Sequence, residues 1–570
     1  MVWRKATVSK GRVRDLANAL GVSPLVAQLL TRLPLATIEE AKAFLHPRLR
    51  QLDDPFRITH LREAVRRLRR AMAKNERISI IGDYDVDGVT STALLVHTLN
   101  RFGIFPHYTV PHRVREGYGL SRAVINRTLK SGSPDLVIAV DCGTNSIEEV
   151  DYLASRGVDV IIIDHHRSTC DRPAPAILIN PHVNDEDGRP WRDLCSVGLV
   201  FKLAHGLVKD LRNEGDPTAY KMNLKDYLDL VAMGTVADVV PLTGENRILT
   251  CAGLKALRST QRSGLHALFN VSGIGLGTPI TGSDISFKLG PRINASGRLA
   301  NAELSVRMLL GKNIEDCLDM AGQLDRMNSE RQNIQRRMMR EAAQDIEGKL
   351  PEAGGYVLYN PEWHHGVVGI VAGQLARKHN APAIVLGKEG PLAKGSGRSV
   401  EGVNLVEVLG QCSGLLESWG GHPMATGVSL PIHNLPAFQA AFDRAVKRAL
   451  EGASHEPDLQ IAAYVGVDEI NEELMAMIDR LTPFGEGNPV PVFGIKGVRL
   501  AGPPHVFGAD HYRFSLIRGN GTTLNGVAWK KADQLPPSDF PIDLAVKLAW
   551  NSFNGRRFIQ MELVDWRGSR

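Results

Sequence analysis

The chain has 570 residues, a length that suggests about three to four domains. Its 43% apolar and 23% charged residues are those of a folded chain with several cores, which excludes disorder as its main state. The 68 Lys and Arg against 62 Asp and Glu leave a net charge of +6, which permits a polyanionic partner without demanding one.

Residues 1–50 read as short helices broken by turns at Gly21, Pro24, Pro34 and Pro47, packed on the part of the chain that follows. The run Arg66-Arg67-Leu68-Arg69-Arg70 and the cluster from Arg331 to Arg340 read, on charge alone, as solvated helix faces. From Ile78 the pattern becomes strand–helix–strand. The apolar runs Ile78–Asp83, Leu136–Asp141, Val158–Asp164 and Ala176–Asn180 alternate with helical stretches at Thr90–Asn100 and Ser146–Ser155. Continuous apolar strands of this kind belong to a parallel sheet covered on both faces. Helical patterns follow from Ser196 to Leu257, and the charged stretch Ile314–Lys349 reads as a long helical connector.

Tyr356–Tyr359 and Ala383–Leu386 are strands of a second α/β unit that reaches about Glu451. Beyond Pro489, alternating runs such as His511–Ile517 and Leu544–Trp550 suggest a small β-barrel. Tyr512, Phe514, Trp529, Trp550 and Phe553, interleaved with Lys530 and Lys531, are what a single-strand groove uses, although most aromatics of a small barrel form its core. No run approaches the about 18 apolar residues of a membrane-crossing helix. The start Met1-Val-Trp-Arg-Lys lacks a signal-peptide core, and the six cysteines form no Cys-x-x-Cys pair. A reducing, cytoplasmic location is the expectation.

Three strands end in acid, at Asp83, Asp141 and Asp164. In a parallel sheet those ends share the edge where ligands bind. The first continues as Asp83-Tyr-Asp85-Val-Asp87-Gly88 and the third as His165-His166, while Asp238 sits alone in an apolar segment. Each aspartate alone reads as a cap or turn residue. Together with imidazoles and without thiolates, they suit Mn²⁺ or Mg²⁺.

In order and spacing, these segments resemble the DHH phosphoesterase family: Asp-Tyr-Asp-x-Asp-Gly, Val140-Asp-Cys-Gly143, Asp164-His-His166 and Gly234-Thr-Val-Ala-Asp238-Val-Val-Pro-Leu242. Further downstream come Gly290-Pro-Arg-Ile-Asn-Ala-Ser-Gly-Arg-Leu299, Glu362-Trp-His-His-Gly366, Gly395-Ser-Gly-Arg-Ser399 and Gly420-Gly-His-Pro-Met-Ala-Thr-Gly427. The full series is similar to the bacterial branch that degrades single-stranded DNA from its 5′ end. The resemblance implies a parallel-sheet DHH domain (51–313) after the N-terminal segment (1–50), a connector helix (314–349), a DHHA1 domain (350–452) and an OB-like domain (453–570).

The resemblance also implies two ions, Mn²⁺ or Mg²⁺, with Asp83 on the first, Asp141 bridging, and Asp85, His165 and Asp238 on the second. Asp141, Asp85 and His166 would be catalytic, with His166 beside the scissile phosphate. Two such ions supply an activated water, neutralise the phosphoryl oxygens and stabilise the leaving alkoxide. Arg398 with Ser396 would hold the 5′-terminal phosphate and Arg292 a neighbouring one, with Arg113, Asn294 and Arg298 near the substrate. His364 and His422 either touch substrate or brace loops. Val86 replaces the usual alanine, Ala300-Asn301 replace acids common in relatives, and Ser79 stands where some relatives place a histidine ligand.

The implied partners are single-stranded DNA, a single-strand-binding protein and a RecQ-type helicase, in repair and recombination. Two other readings stay open: a phosphoesterase for short oligonucleotides or cyclic dinucleotides, and an inactive DNA-binding scaffold. Against the first stand the length and the extra β domain, and against the second the presence of all five ligand candidates.

Overall fold

The computed structural model describes residues 2–5, 8–113, 116–117, 119–168, 175–347, 354–451, 458–508, 510–553 and 556–569. They form two compact units: residues 55–238 with 256–455, and residues 1–54 with 239–255 and 456–570.

The first unit is built on a five-stranded parallel sheet in the spatial order His107–Thr109, Ile78–Gly82, Leu136–Val140, Asp159–Ile163, Ile177–Ile179. Every residue of Ile78–Gly82 and Leu136–Val140 is buried, because helices cover both faces. Burial of each large apolar side chain contributes about 1.5–3 kcal/mol. The edge strand His107–Thr109 was absent from the sequence reading; at three residues it is too short to show a period. The helix placed at Thr90–Asn100 begins earlier, at Val86, because Asp85 caps it.

Helix Ile314–Glu347 spans 34 residues, about 50 Å at 1.5 Å per residue. Met338, Ala342 and Ile346, one helical turn apart, bury against Trp363, Val367 and Val371 of the second α/β layer. That layer is a mixed sheet in the order Ser418–His422, Ala425–Pro431, Leu392–Arg398, Ala383–Glu389, Tyr356–Tyr359. Strand Ala383–Glu389 serves two cores by its period of two. Ala383 and Val385 face helix His365–His379, while Ile384 and Leu386 face helix Leu435–Leu450.

The other unit carries a seven-stranded sheet that includes Phe493–Val498, His511–Ile517, Thr523–Ala528, Ile542–Phe553 and Arg556–Gly568. A bridge between Leu500 and Leu516 curls it towards closure. Two expectations are corrected here. The N-terminal segment is not purely helical, since Val2–Lys5 pairs in parallel with Asp458–Ile461, and its core joins the C-terminal strands rather than the chain that follows it. Residues 239–255 also lie in this unit, interrupting the span 51–313. Buried Arg247 ties them in by stacking 3.5 Å from the Phe44 ring and donating to the carbonyls of Phe44 (2.7 Å) and Thr482 (2.9 Å).

Of the barrel aromatics, Tyr512 and Phe514 are core, and Trp550 stacks under Arg557 at 3.8 Å. Trp529 is 47% exposed and packs edge-on against Phe507 and His511. The Phe553 side chain lies outside the described residues.

Candidate metal and phosphate centre

In chain order the strands of the parallel sheet lie 2-1-3-4-5, so connections leave in opposite directions from the neighbours Ile78–Gly82 and Leu136–Val140. A crevice opens at the carboxyl ends of such a pair. Asp83 and Asp141 are the residues that step off those two strands. Asp141 has φ 64°, a left-handed conformation costly for a non-glycine residue, and its N–H donates to Ile163 O at 2.9 Å. Asp85 caps helix Val86–Arg101 by accepting from Gly88 N–H at 3.1 Å, so the cap reading and the ligand reading hold for one residue. Gly88 has no alternative: a Cβ there would lie 2.6 Å from Asp83 O.

Among the described residues three clusters result, and Asp141 belongs to two of them. Asp83, Asp85 and Asp141 bring ligand atoms within 4.8 Å of one another, as do Asp141, His165 and His166. His165 Nε2 lies 3.5 Å from Asp141 Oδ1 and 3.4 Å from Asp238 Oδ2. All five residues proposed as metal ligands therefore converge. Burial, and then the neighbouring carboxylates, push Asp83 and Asp141 well above the usual carboxylate range and Asp238 up to about 9. Burial and then His166 push His165 down to about 3, so it is neutral and presents a lone pair. Asp83 Oδ1, His165 Nε2 and Asp238 Oδ2 are buried with no hydrogen-bond partner. Burying such atoms is costly unless a cation completes them. The donor set, oxygens with one imidazole and no thiolate, fits Mn²⁺ or Mg²⁺.

Asp164 ends its strand as the other acids do but does another job. It accepts from the N–H groups of Thr144 (3.1 Å), His165 (2.8 Å) and His166 (3.2 Å), and from His166 Nδ1 (2.7 Å). Although burial raises it, these donors hold it well below the usual range, and the same bond outweighs burial to lift His166 up to about 9. Half-exposed His166 and exposed His422 line one cleft of about 580 Å³.

A cluster of opposite sign lies beside Tyr84. The Arg113 guanidinium sits 5.1 Å from the Tyr84 ring, and Arg298 and Arg398 each feel its charge. Burial, then Arg113, Arg331 and Arg398, push Arg298 down to about 10. Arg298 donates to Gly366 O at 3.1 Å, and Arg398 to Ser396 Oγ at 2.7 Å. Arg292 is placed differently. Its guanidinium meets Asp325 (2.9 Å) and the carbonyls of Lys288 (2.7 Å) and Val271 (3.1 Å). Asn294 Oδ1 is buried without a partner, and His364 Nδ1 accepts from Gly366 N–H at 3.0 Å, capping its helix. Asn301, at one of the two positions that depart from the acids of relatives, pairs with Glu303.

Family models match three stretches: the DHH family N-terminal domain at residues 77–235, the DHHA1 domain at 352–448 and the RecJ OB domain at 461–565. A single-stranded-DNA-specific exonuclease RecJ of Dickeya dadantii (strain 3937) is 36% identical over 90% of this chain and 91% of its own. The chain belongs to the RecJ family. Crystal structures of RecJ from Thermus thermophilus superimpose on all of it. The complex with Mn²⁺ does so with a TM-score of 0.83 at 29% identity, covering 80% of that chain. The complex with Mg²⁺ does so at 0.78 and 27%, covering 79%.

Three neighbours of the centre escaped the sequence reading. Buried Asp87 groups with His165 and Asp238, and Ser196 Oγ donates to Asp141 Oδ1 at 2.9 Å. Arg331, read there as part of a solvated face, is half-buried and adds its charge to the arginine cluster. In the other basic run Arg67 pairs with Glu76 and Asp159 and Arg69 with Asp210, each at 2.7 Å. Among the described residues no helix is long and apolar enough to cross a membrane.

Proposed function

We propose that the chain is a metal-dependent exonuclease that hydrolyses single-stranded DNA from the 5′ end and releases mononucleotides. The observation that carries this reading is the convergence of Asp83, Asp85, Asp141, His165 and Asp238, three of whose buried atoms make no hydrogen bond. Two divalent ions held there, with Asp141 between them, would supply charge neutralisation and an activated water to phosphodiester cleavage. Around them the chain's own groups position and exclude. Asp164 fixes the His166 ring and keeps it protonated, so that its other nitrogen can donate to a phosphoryl oxygen in the cleft. Arg398 with Ser396, and Arg113 with Arg298, would hold the 5′-terminal phosphate, since guanidinium forks suit a doubly charged group. A terminal phosphate gripped beside the cleavage point makes the 5′ end the one that enters.

The relatives' name, single-stranded-DNA-specific exonuclease, supports the substrate class, and exposed Trp529 beside Lys530 and Lys531 offers bases a stacking surface. Asn294 near the site, His364 as a brace and His422 in the cleft complete the assignment, while Arg292 orders the helix that carries Arg298. Cytoplasmic repair and recombination, alongside a single-strand-binding protein and a RecQ-type helicase, is the setting this reading implies. The test is digestion of labelled single- and double-stranded oligonucleotides bearing 5′-phosphate or 5′-hydroxyl ends, with Mn²⁺, Mg²⁺ or EDTA. Mononucleotides released from single strands alone, and lost in EDTA, are expected. Binding without cleavage overturns the proposal.

A further inference from the structure

Asp87 is a fully buried acid for which the chemistry above has no use. It lies within reach of His165 and Asp238, as a further ligand would. Its hydrogen bonds point elsewhere. Asp87 Oδ2 accepts from Ser196 N–H at 2.7 Å and Oδ1 from Val197 N–H at 2.9 Å. These are the first two residues of helix Ser196–Asn213, whose own N-cap, Cys195, makes no side-chain cap bond. The amides that a helix start leaves unpaired are thus capped by an acid from another helix. A third helix closes on the knot at Gly234, where a Cβ would lie 2.9 Å from Asp87 Oδ1 and 2.7 Å from a Val197 methyl. Held this way, Ser196 turns its hydroxyl onto Asp141 Oδ1 at 2.9 Å. His165 Nε2, meanwhile, is 3.9 Å from Asp87 but 3.4 and 3.5 Å from Asp238 and Asp141.

We propose that Asp87 and Ser196 are positioning residues: Asp87 anchors the start of helix Ser196–Asn213, and Ser196 thereby fixes the orientation of the bridging carboxylate Asp141, while Asp87 itself binds no ion. A carboxylate that must address two ions needs both oxygens aimed, and one donor on Oδ1 sets the plane for both. Partners of this kind are worth about 10- to 100-fold in metal affinity.

The inference rests on the reading that this centre holds two divalent ions, and Mn²⁺ titration calorimetry on the full chain separates the two. Two ions per parent chain are expected; a parent that binds none sinks the ion reading itself. Asp87→Asn should still bind two, about 10- to 100-fold more weakly, and Ser196→Ala about 10-fold more weakly. Ser196→Thr, which keeps the hydroxyl, should stay within about 3-fold of the parent. At saturating Mn²⁺ both weakened variants should recover kcat with an unchanged KM for a single-stranded oligonucleotide. A stoichiometry of one in Asp87→Asn makes Asp87 a ligand and overturns the proposal. Parental affinity in Ser196→Ala overturns it as well, and that variant decides alone if Asp87→Asn does not fold.

Discussion

The acidic crevice and the arginine cluster pose one electrostatic problem with opposite signs. Each gathers like charges in a desolvated place, and each shows the strain of doing so. Asp238 is driven up to about 9 and Arg298 down to about 10 by burial first and like-charged neighbours second. They differ in how the charges are held. Asp83 and Asp141 step directly off buried strands, and Asp85 is pinned as a helix cap. The guanidiniums arrive on long stems from Arg113 in a turn, Arg298 and Arg331 on separate helices, and Arg398 at a strand end. Short acids fixed by backbone cannot substitute for one another, whereas long cations can share a ligand. Deletions should therefore be all-or-none on the acidic side and graded on the basic side.

Asp141→Ala is the strongest test of that contrast. Loss of the residue shared by two of the three clusters should lower cleavage by at least about 10³-fold. The fold should survive, because removing one buried like charge relieves repulsion, so thermal melting in EDTA should occur at an equal or higher temperature than for the parent. Turnover within about tenfold of the parent would mean the acids are not a unit. Asp164→Asn comes next. It leaves the clusters intact but removes the charge that fixes and protonates His166, and should cost about 10²-fold in kcat while Mn²⁺ binding stays parental. A loss of bound metal instead would place Asp164 among the ligands.

The same contrast explains what the sequence made legible. Asp83 and Asp141 could be found because short apolar runs rich in Ile and Val announce buried parallel strands, and such strands share an edge at their ends. Asp164 was found by the same logic and given too little, since a pattern of acids cannot tell a ligand from the group that aims a ligand's neighbour. Asp87 and Ser196 were not legible at all. Their bond joins two helix starts 109 positions apart through backbone N–H groups, which every sequence possesses. Val2–Lys5 was missed for a related reason, as its partner strand begins at Asp458 and nothing local marks the pairing. Arg331 was misread because a run of charge says how many cations a helix carries, not which of them turns inward.

On the basic side, Arg398→Ala should raise KM for a 5′-phosphorylated single strand about tenfold, the value of one charge-assisted contact. A 5′-hydroxyl substrate should be nearly indifferent. Equal losses on both substrates would place Arg398 on an internal phosphate and remove its part in setting polarity.

Arg331→Ala should have the smallest effect, and its measurement is the most discriminating. Arg331 Nη1 donates to Gln335 at 2.8 Å and Nη2 to Asn328, so much of its hydrogen bonding is already committed within its own helix. What it adds to the cluster is field rather than a fork, and KM should rise only about threefold. Field can still be counted by salt. Each phosphate neutralised on a single strand contributes about 0.7 to the slope of log affinity against log salt, and Arg331→Ala should flatten that slope by less than this amount. Arg398→Ala should flatten it by the full amount. Identical slopes for Arg331→Ala and the parent would return Arg331 to the solvated face and leave three guanidiniums, not four, to meet the phosphate.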